Sequence, residues 1–301
     1  MKNKEDSPLT PNASRLTEHQ PGTLYVIATP IGNLEDLTFR ALRILREVDL
    51  VAAEDTRHSR KLFSHYGIGT PLTSFFQHNE AVKGERILED LRQGKSVALI
   101  SDAGTPAIAD PGFLLVRRCR EERIPVIAVP GPSAVVTALS IAGLPTDRFA
   151  FEGFLPAKTK GRREALRRLR QEERTTVFYE APHRLPATLR DLVEELGAER
   201  EVAVARELTK IHEELYRGTA AAALDHFASD RVRGEIVLMV APAADAEFGV
   251  EQANAGSLEE ALRKLSAEGL PPRHAVKQVA KEFGLPRDEV YRVWVATKDG
   301  D

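Results

Sequence analysis

The sequence predicts an α/β fold of two α/β domains, followed by a small helical domain. Three observations carry this. From Leu24 onward, short apolar strand-like runs alternate with helical patterns, the signature of a largely parallel sheet with crossover helices. Four of those runs end in small-residue or Pro-rich loops. After residue 256 the strand-like runs stop and only helical periodicity is left.

The 301 residues fit about two domains of the usual ~100–200 residues with a small appendage. Met1 to Gly22 is polar, Pro-containing and aperiodic, and reads as a disordered tail. The first domain, 23–145, is expected to hold strands at Leu24–Ala28, Leu50–Ala53, Leu72–Phe76, Val97–Ile100 and Val126–Val129. Leu37, Ala41, Leu45 and Val48 recur at helical spacing. Asn79 to Leu91 is a helix with Asn79 as cap and Gly94 as stop, and Asp110 followed by Pro111 marks another helix start. The helix from Ser133 ends at Gly143.

The second domain, 146–241, is expected to hold strands at Phe149–Phe154, Thr175–Phe178, Glu201–Ala205, Glu213–Arg217 and Glu235–Val240. Its helices fall at Arg162–Gln171, Pro186–Leu196 and Thr219–Ser229. Ala205 to Glu213 is too short for a crossover helix, so antiparallel pairs are expected here. Ala241 to Gly256 reads as an acidic linker. The third domain, 257–298, contains three short helices, Leu258–Glu268, Pro272–Phe283 and Arg287–Ala296, suited to a helix-turn-helix-like module or a packing appendage. Trp294 is read as core.

Composition narrows the function classes. No apolar run approaches the ~20 residues needed to span a bilayer, and Met1 to Pro21 lacks the apolar stretch of a secretory signal. The single cysteine, Cys119, excludes an intrachain disulfide and a Cys-based zinc site, so a reduced cytoplasmic setting is expected. A net charge of −3 argues against generic polyanion binding and makes any nucleic-acid surface local. The local candidate is Ala157 to Arg170, where Lys158, Lys160, Arg162, Arg163, Arg167, Arg168 and Arg170 face Glu164 alone. It is read as a phosphate-contacting basic flap rather than a solvated helix face.

The loops carry the chemistry. SDAGTPAIADPG (Ser101–Gly112), TPIGN (Thr29–Asn33), PGPSA (Pro130–Ala134) and YEAPHR (Tyr179–Arg184) each follow a strand, where open α/β sheets bind ligands. TPIGN has one glycine and a proline, not G-x-G-x-x-G, which disfavours a dinucleotide site. There is no H-E-x-x-H and no Cys/His cluster, so no metal is expected. AEDTRHSRK, Ala53 to Lys61, follows another strand with Asp55 as helix cap; its Arg57, His58, Arg60 and Lys61 suit a phosphate or a polycarboxylate equally.

Together with AEDTRHSR, this set of loops resembles the tetrapyrrole-methylase-like, class III S-adenosylmethionine methyltransferases. Within that superfamily it is most similar to the ribosomal RNA small-subunit methyltransferase I family, which methylates a cytidine 2'-hydroxyl in 16S rRNA. The resemblance runs from about Thr23 to Val240 and more loosely to the C-terminus. It implies S-adenosylmethionine folded in the interdomain cleft, against Pro30 and Gly32, Asp102, Ala103, Gly104, Thr105 and Pro106, and Ser133 with Ala134. Tyr179, Glu180 and Ala181, with the strand around Val237 to Met239, would complete the pocket from the second domain. It also implies a homodimer.

A ribose hydroxyl is a weak nucleophile, so a base is expected, with Asp55, Glu54 and Glu180 as candidates and His58 and Lys210 behind them. The RNA-contacting set is Arg57, His58, Arg60, Lys61, Lys158, Lys160, Arg162, Arg163 and Lys210, with Phe151 or Phe154 either core or a base-stacking face. The alternatives are a tetrapyrrole C-methyltransferase and a non-catalytic RNA-binding protein.

Overall fold

The computed structural model describes residues 22–228, 232–243, 260–265, 270–282 and 287–298. The expected disordered tail and most of the expected linker lie outside the described residues, as do the ends of the expected helix at 258–268.

The first sheet is built from β1 (Leu24–Ile27), β2 (Leu50–Ala53), β3 (Leu72–Ser74), β4 (Val97–Ile100) and β5 (Val126–Val129), in the order β3-β2-β4-β1-β5. Every pair is parallel. The strands are apolar on both faces because helices cover both. α1 (Phe39–Glu47) and α2 (Thr56–Tyr66) pack on one side with Ile27, Val51 and Ile100. α3 (Glu80–Arg92) and α4 (Phe113–Glu121) cover the other with Leu24, Ala52, Leu99 and Cys119. Cys119 is fully buried, and burial pushes its thiol up to about 11.

The chain leaves β1 toward β2 on one side and leaves β4 toward β5 on the other. The strand order therefore reverses between β1 and β4, the point at which a crevice opens outside the carboxyl ends of such a sheet.

The second sheet is mixed. It runs β6 (Phe149–Phe154), β7 (Thr175–Glu180), β10 (Ile236–Val240), β8 (Glu201–Arg206), β9 (Glu214–Thr219). Only β6 and β7 are parallel; β8 and β9 form the antiparallel pair that the short connection predicts. α6 (Thr159–Arg168), α7 (Leu185–Leu196) and α8 (Ala220–His226) pack on one face. The other face receives α5 (Ala134–Ala142), which follows the first sheet, against Val177, Ala203, Val237 and Met239. That helix joins the two halves and sets the width of the cleft. It ends at Gly143, whose φ of 67° closes the helix in a conformation glycine adopts without strain.

Two helix starts differ from expectation. Asn79 makes no capping bond to α3; its Oδ1 accepts from the Phe76 amide at 2.8 Å and its amide donates to Ser74, so it ties the preceding turn instead. α4 begins at Phe113 behind Gly112, not at Asp110 and Pro111. In the last segment the described helices are 260–265, Pro272–Glu282 and Arg287–Lys298, packed around Leu262, Val279 and Val290, with Trp294 against that cluster. Among the described residues no helix is long and apolar enough to cross a membrane.

Candidate active site

The two loops at the reversal point are tied to each other. The Thr29 amide donates to the Gly104 carbonyl at 2.9 Å, the Gly104 amide returns the bond at 3.0 Å, and the Thr29 hydroxyl donates to Ser101 O. Gly104 has φ of 81°. The third loop closes in behind: a Cβ on Gly131 would lie 3.0 Å from the Ala28 Cβ, and the Thr105 hydroxyl donates to Pro132 O. Small residues thus let three backbones converge where a ligand can approach them.

Facing them is a cleft of about 300 Å³. Ala103, Gly104, Thr105, Ser133 and Ala134 form one wall, and Tyr179, Glu180, Ala181, Gly234 and Val237 form the other. Phe154 is 57% exposed and sets its ring edge-on to Tyr179, at 5.6 Å between centroids, so it forms the rim, while Phe151 packs inward. Pro106 is buried beneath its loop. Met239 is fully buried against α5, and Val237, two residues earlier on the same face of β10, lines the cleft in its place. Of the expected strand around Val237 to Met239, Val237 reaches the cleft and Met239 does not, which corrects the expectation for Met239 alone.

A second pocket of about 310 Å³ adjoins the first and shares Ile31, Ala103 and Glu235 with it. Pro30, Gly32, His58, Lys61, Asp102 and Lys210 line it. Lys210 crosses from the second sheet and passes so close to Gly32 that a Cβ there would sit 2.5 Å from its Cγ. Beside it, the Asn33 amide donates to the Thr209 hydroxyl at 3.1 Å. The ammonium is clamped by Glu207 at 2.7 Å and Glu235 at 2.9 Å; these bonds raise its pKa against the opposing effect of burial. It is therefore a cation and not a base.

The candidate carboxylates separate by environment. Asp55 caps α2, accepting from the Arg57 amide at 2.8 Å, and pairs with the Arg57 guanidinium, which holds its carboxyl down at about 2. A group so acidic is a poor proton acceptor. Glu180 is out of solvent and its oxygens are taken: the Thr188 hydroxyl donates to it at 2.6 Å, the Ala181 amide donates at 2.8 Å, and Arg184 lies at 3.3 Å. It holds the start of α7 and is not placed to act as a base, a correction to the expectation. Glu54 is half-buried, and burial together with the charge of Asp102 raises its pKa. Asp102 accepts from the Asp55 amide at 3.0 Å. Asp110, read from the sequence as a helix start, instead lines the cleft. Among the described residues no group of His, Cys, Asp or Glu could hold a metal ion.

Residues 23–224 match the family described as Tetrapyrrole (Corrin/Porphyrin) Methylases, and residues 252–297 match the RsmI C-terminal HTH domain. A "Ribosomal RNA small subunit methyltransferase I" of Pseudomonas aeruginosa is 51% identical over 90% of this chain and 96% of its own length. Proteins of the same description from Xylella fastidiosa and Synechocystis sp. are 50% and 48% identical, each over 90% of this chain and 98% and 97% of their own. The chain belongs to the ribosomal RNA small subunit methyltransferase I family. Membership makes it a methyltransferase that takes its methyl group from S-adenosylmethionine. The fold is shared with a cobalt precorrin-4 methyltransferase, at a TM-score of 0.57 and 19% identity over 73% of this chain and 95% of that one. The methyltransferase CobJ gives 0.56 and 20% over 74% and 95%.

The basic segment of this family member is organised differently from a free flap. Arg162 is buried and bonds Asp191 of α7 at 2.6 Å; Arg163 bonds Asp191 and Glu194; Arg167 and Arg170 bond Glu195. These arginines spend their charge on attaching α6 to α7, which corrects the expectation for Arg162 and Arg163. Lys158 and Lys160 remain exposed at the start of α6, and Arg57, His58, Arg60 and Lys61 are exposed on α2. Changing Lys158 and Lys160 to Ala is expected to weaken RNA binding and to lower the slope of log K against log salt by about 0.7–0.9 per lost phosphate contact. A salt titration by filter binding checks this, and an unchanged slope would return both lysines to the solvated surface.

Proposed function

We propose that this chain methylates the 2'-oxygen of a cytidine ribose in the 16S rRNA of the small ribosomal subunit, with S-adenosylmethionine as methyl donor. The observation that carries the reading is the pairing of two compartments: an apolar cleft between the sheets and, sharing three residues with it, a pocket lined by Lys61, His58 and Lys210. A small-residue cleft suits an adenosyl group, whereas the exposed Lys61 in the adjoining pocket suits a phosphate that flanks a ribose.

The residues present fit the cofactor. Gly104 in its left-handed conformation and Gly131, where a Cβ would press on Ala28, leave backbone accessible. Ala103, Thr105, Ser133, Ala134, Tyr179 and Ala181 would hold the group, and its sulfonium supplies an activated methyl carbon when bound. Because the leaving group is activated already, catalysis is chiefly positioning. The Phe154 and Tyr179 rings cover the rim and exclude water, Lys61 orients the RNA backbone, Lys210, paired with Glu207 and Glu235, braces the Gly32 loop from the second sheet, and a carboxylate takes up the hydroxyl proton. A ribosomal substrate puts the enzyme in the cytoplasm. A homodimer belongs to this reading, supported by the exposed Ile127, Val136 and Ile141 beside β5 and on α5; sedimentation at monomer mass would remove it.

The deciding experiment is transfer of labelled methyl groups to small subunits that lack the modification, with the product nucleoside identified by mass spectrometry. A 2'-O-methylcytidine is expected. Label on a porphyrinogen and none on subunits would replace the substrate and leave fold and cofactor in place.

A further inference from the structure

Between β4 and α4 the backbone is strained just ahead of one acidic residue, Asp110. Ala107 and Ala109 adopt φ of 67° and 63°, the left-handed region that costs a non-glycine residue roughly 1–2 kcal/mol. Gly112 has φ of 131°, its amide is held by Glu80 at 3.1 Å, and a Cβ there would stand 2.7 Å from Leu99 Cδ2. Pro111 restricts the remaining freedom of Asp110. Strain of this kind persists only where surrounding structure enforces it, and it gathers at functional sites.

Its effect is to turn Asp110 away from the start of α4 and into the cleft, beside Thr105, Ser133 and Tyr179. Glu54 and Asp102 act on it from the ends of β2 and β4, and Tyr179 and Glu235 share the cleft with it from the second sheet. Of the carboxylates at these strand ends, Asp55 is neutralised by Arg57, Asp102 serves the Asp55 amide, Glu180 is sequestered behind Thr188, and Glu54 is not among the residues that line the cleft or the adjoining pocket.

We propose that Asp110 is the proton acceptor for the attacking ribose hydroxyl, and that the strained loop exists to hold its carboxylate in the cleft. This rests on the methyl-transfer reading above. The step balances: the hydroxyl oxygen forms its bond to the methyl carbon, the carbon–sulfur bond breaks with its electron pair left on sulfur, and the hydroxyl proton passes to the Asp110 carboxylate. Burial in the cleft, and then the charge of Glu54, push the Asp110 carboxyl up to about 6. A base so poised is ionised at neutral pH yet basic enough to accept a proton.

The test is Asp110→Asn in single-turnover transfer to unmodified small subunits, with cofactor affinity measured separately by calorimetry. The rate is expected to fall by ~10²–10⁴-fold while cofactor affinity holds. In the unmutated enzyme the rate should fall as pH drops through about 6, where the base becomes protonated. Glu54→Gln removes a neighbouring negative charge and should move that inflection to lower pH. A near-normal rate in Asp110→Asn, or an inflection that stays in place in Glu54→Gln, overturns the assignment. Should Asp110→Asn not fold, the Glu54→Gln profile decides by itself. A protein that methylates cytidine ribose equally well with and without Asp110 refutes this inference alone; a protein that never labels the subunits refutes the function on which it rests.

Discussion

Asp191→Ala is expected to remove about 3–5 kcal/mol of folding stability, because it strands a buried guanidinium. The Asp191 side chain is 4% exposed and that of Arg162 is 7% exposed; their nitrogen and oxygen meet at 2.6 Å, and the second Asp191 oxygen accepts from Arg163 at 2.8 Å. Two charges withdrawn from water in this way gain little over a pair of apolar residues, yet removal of one partner leaves the other unsolvated. The double variant Arg162→Met, Asp191→Leu should therefore recover most of the loss. Urea unfolding of the three proteins checks both statements. A single-variant loss below about 1 kcal/mol would mean that water reaches Arg162 and that the pair behaves as a surface bridge. The same argument makes charge reversal at Arg162 a poor probe of RNA binding, since its first effect is on folding.

Gly104→Val should abolish tight cofactor binding, with a loss on the order of 100-fold, equivalent to ~3 kcal/mol. Two effects combine. At φ of 81° a β-branched residue is strained by ~1–3 kcal/mol, and relief of that strain would disturb the paired bonds between Gly104 and Thr29. The new side chain would also stand on a wall of the cleft, with its Cβ 3.5 Å from Ile31 Cγ2. Calorimetric titration of the variant with S-adenosylmethionine measures the loss directly. Affinity within a few-fold of the parent would show that the cofactor does not approach this backbone.

The strands were legible because each is a short apolar run closed by turn residues, and Asp55 was legible as a cap because capping depends on local chemistry alone. Antiparallel pairing in the second sheet followed from the length of one connection. The errors share a physical cause: they concern which partner a side chain finds far along the chain. Arg162 and Arg163 look unpaired in a basic segment because Asp191 lies 29 and 28 residues away. Glu180 reads as a free carboxylate until Thr188 comes round on α7. Met239 and Val237 share one face of β10 and both pack in the cluster with α5, so periodicity alone does not tell which of them also reaches the cleft. At Asp110 a true local signal was outvoted: Asp-Pro favours a helix start, but Gly112 and the flanking alanines carry the chain round one more turn before α4 begins. The Asp-Pro pair preceded by alternating alanines was the only trace of this in the sequence.

The burial of Cys119 has a practical corollary. It is the only cysteine in the chain, it lies on the buried face of α4 against the first sheet, and its thiol stays protonated at neutral pH. The native protein is consequently silent toward maleimides and spin labels. Any cysteine introduced at an exposed position such as Lys158 becomes a unique attachment point, with no background to remove, and two such points give a spectroscopic ruler across the cleft.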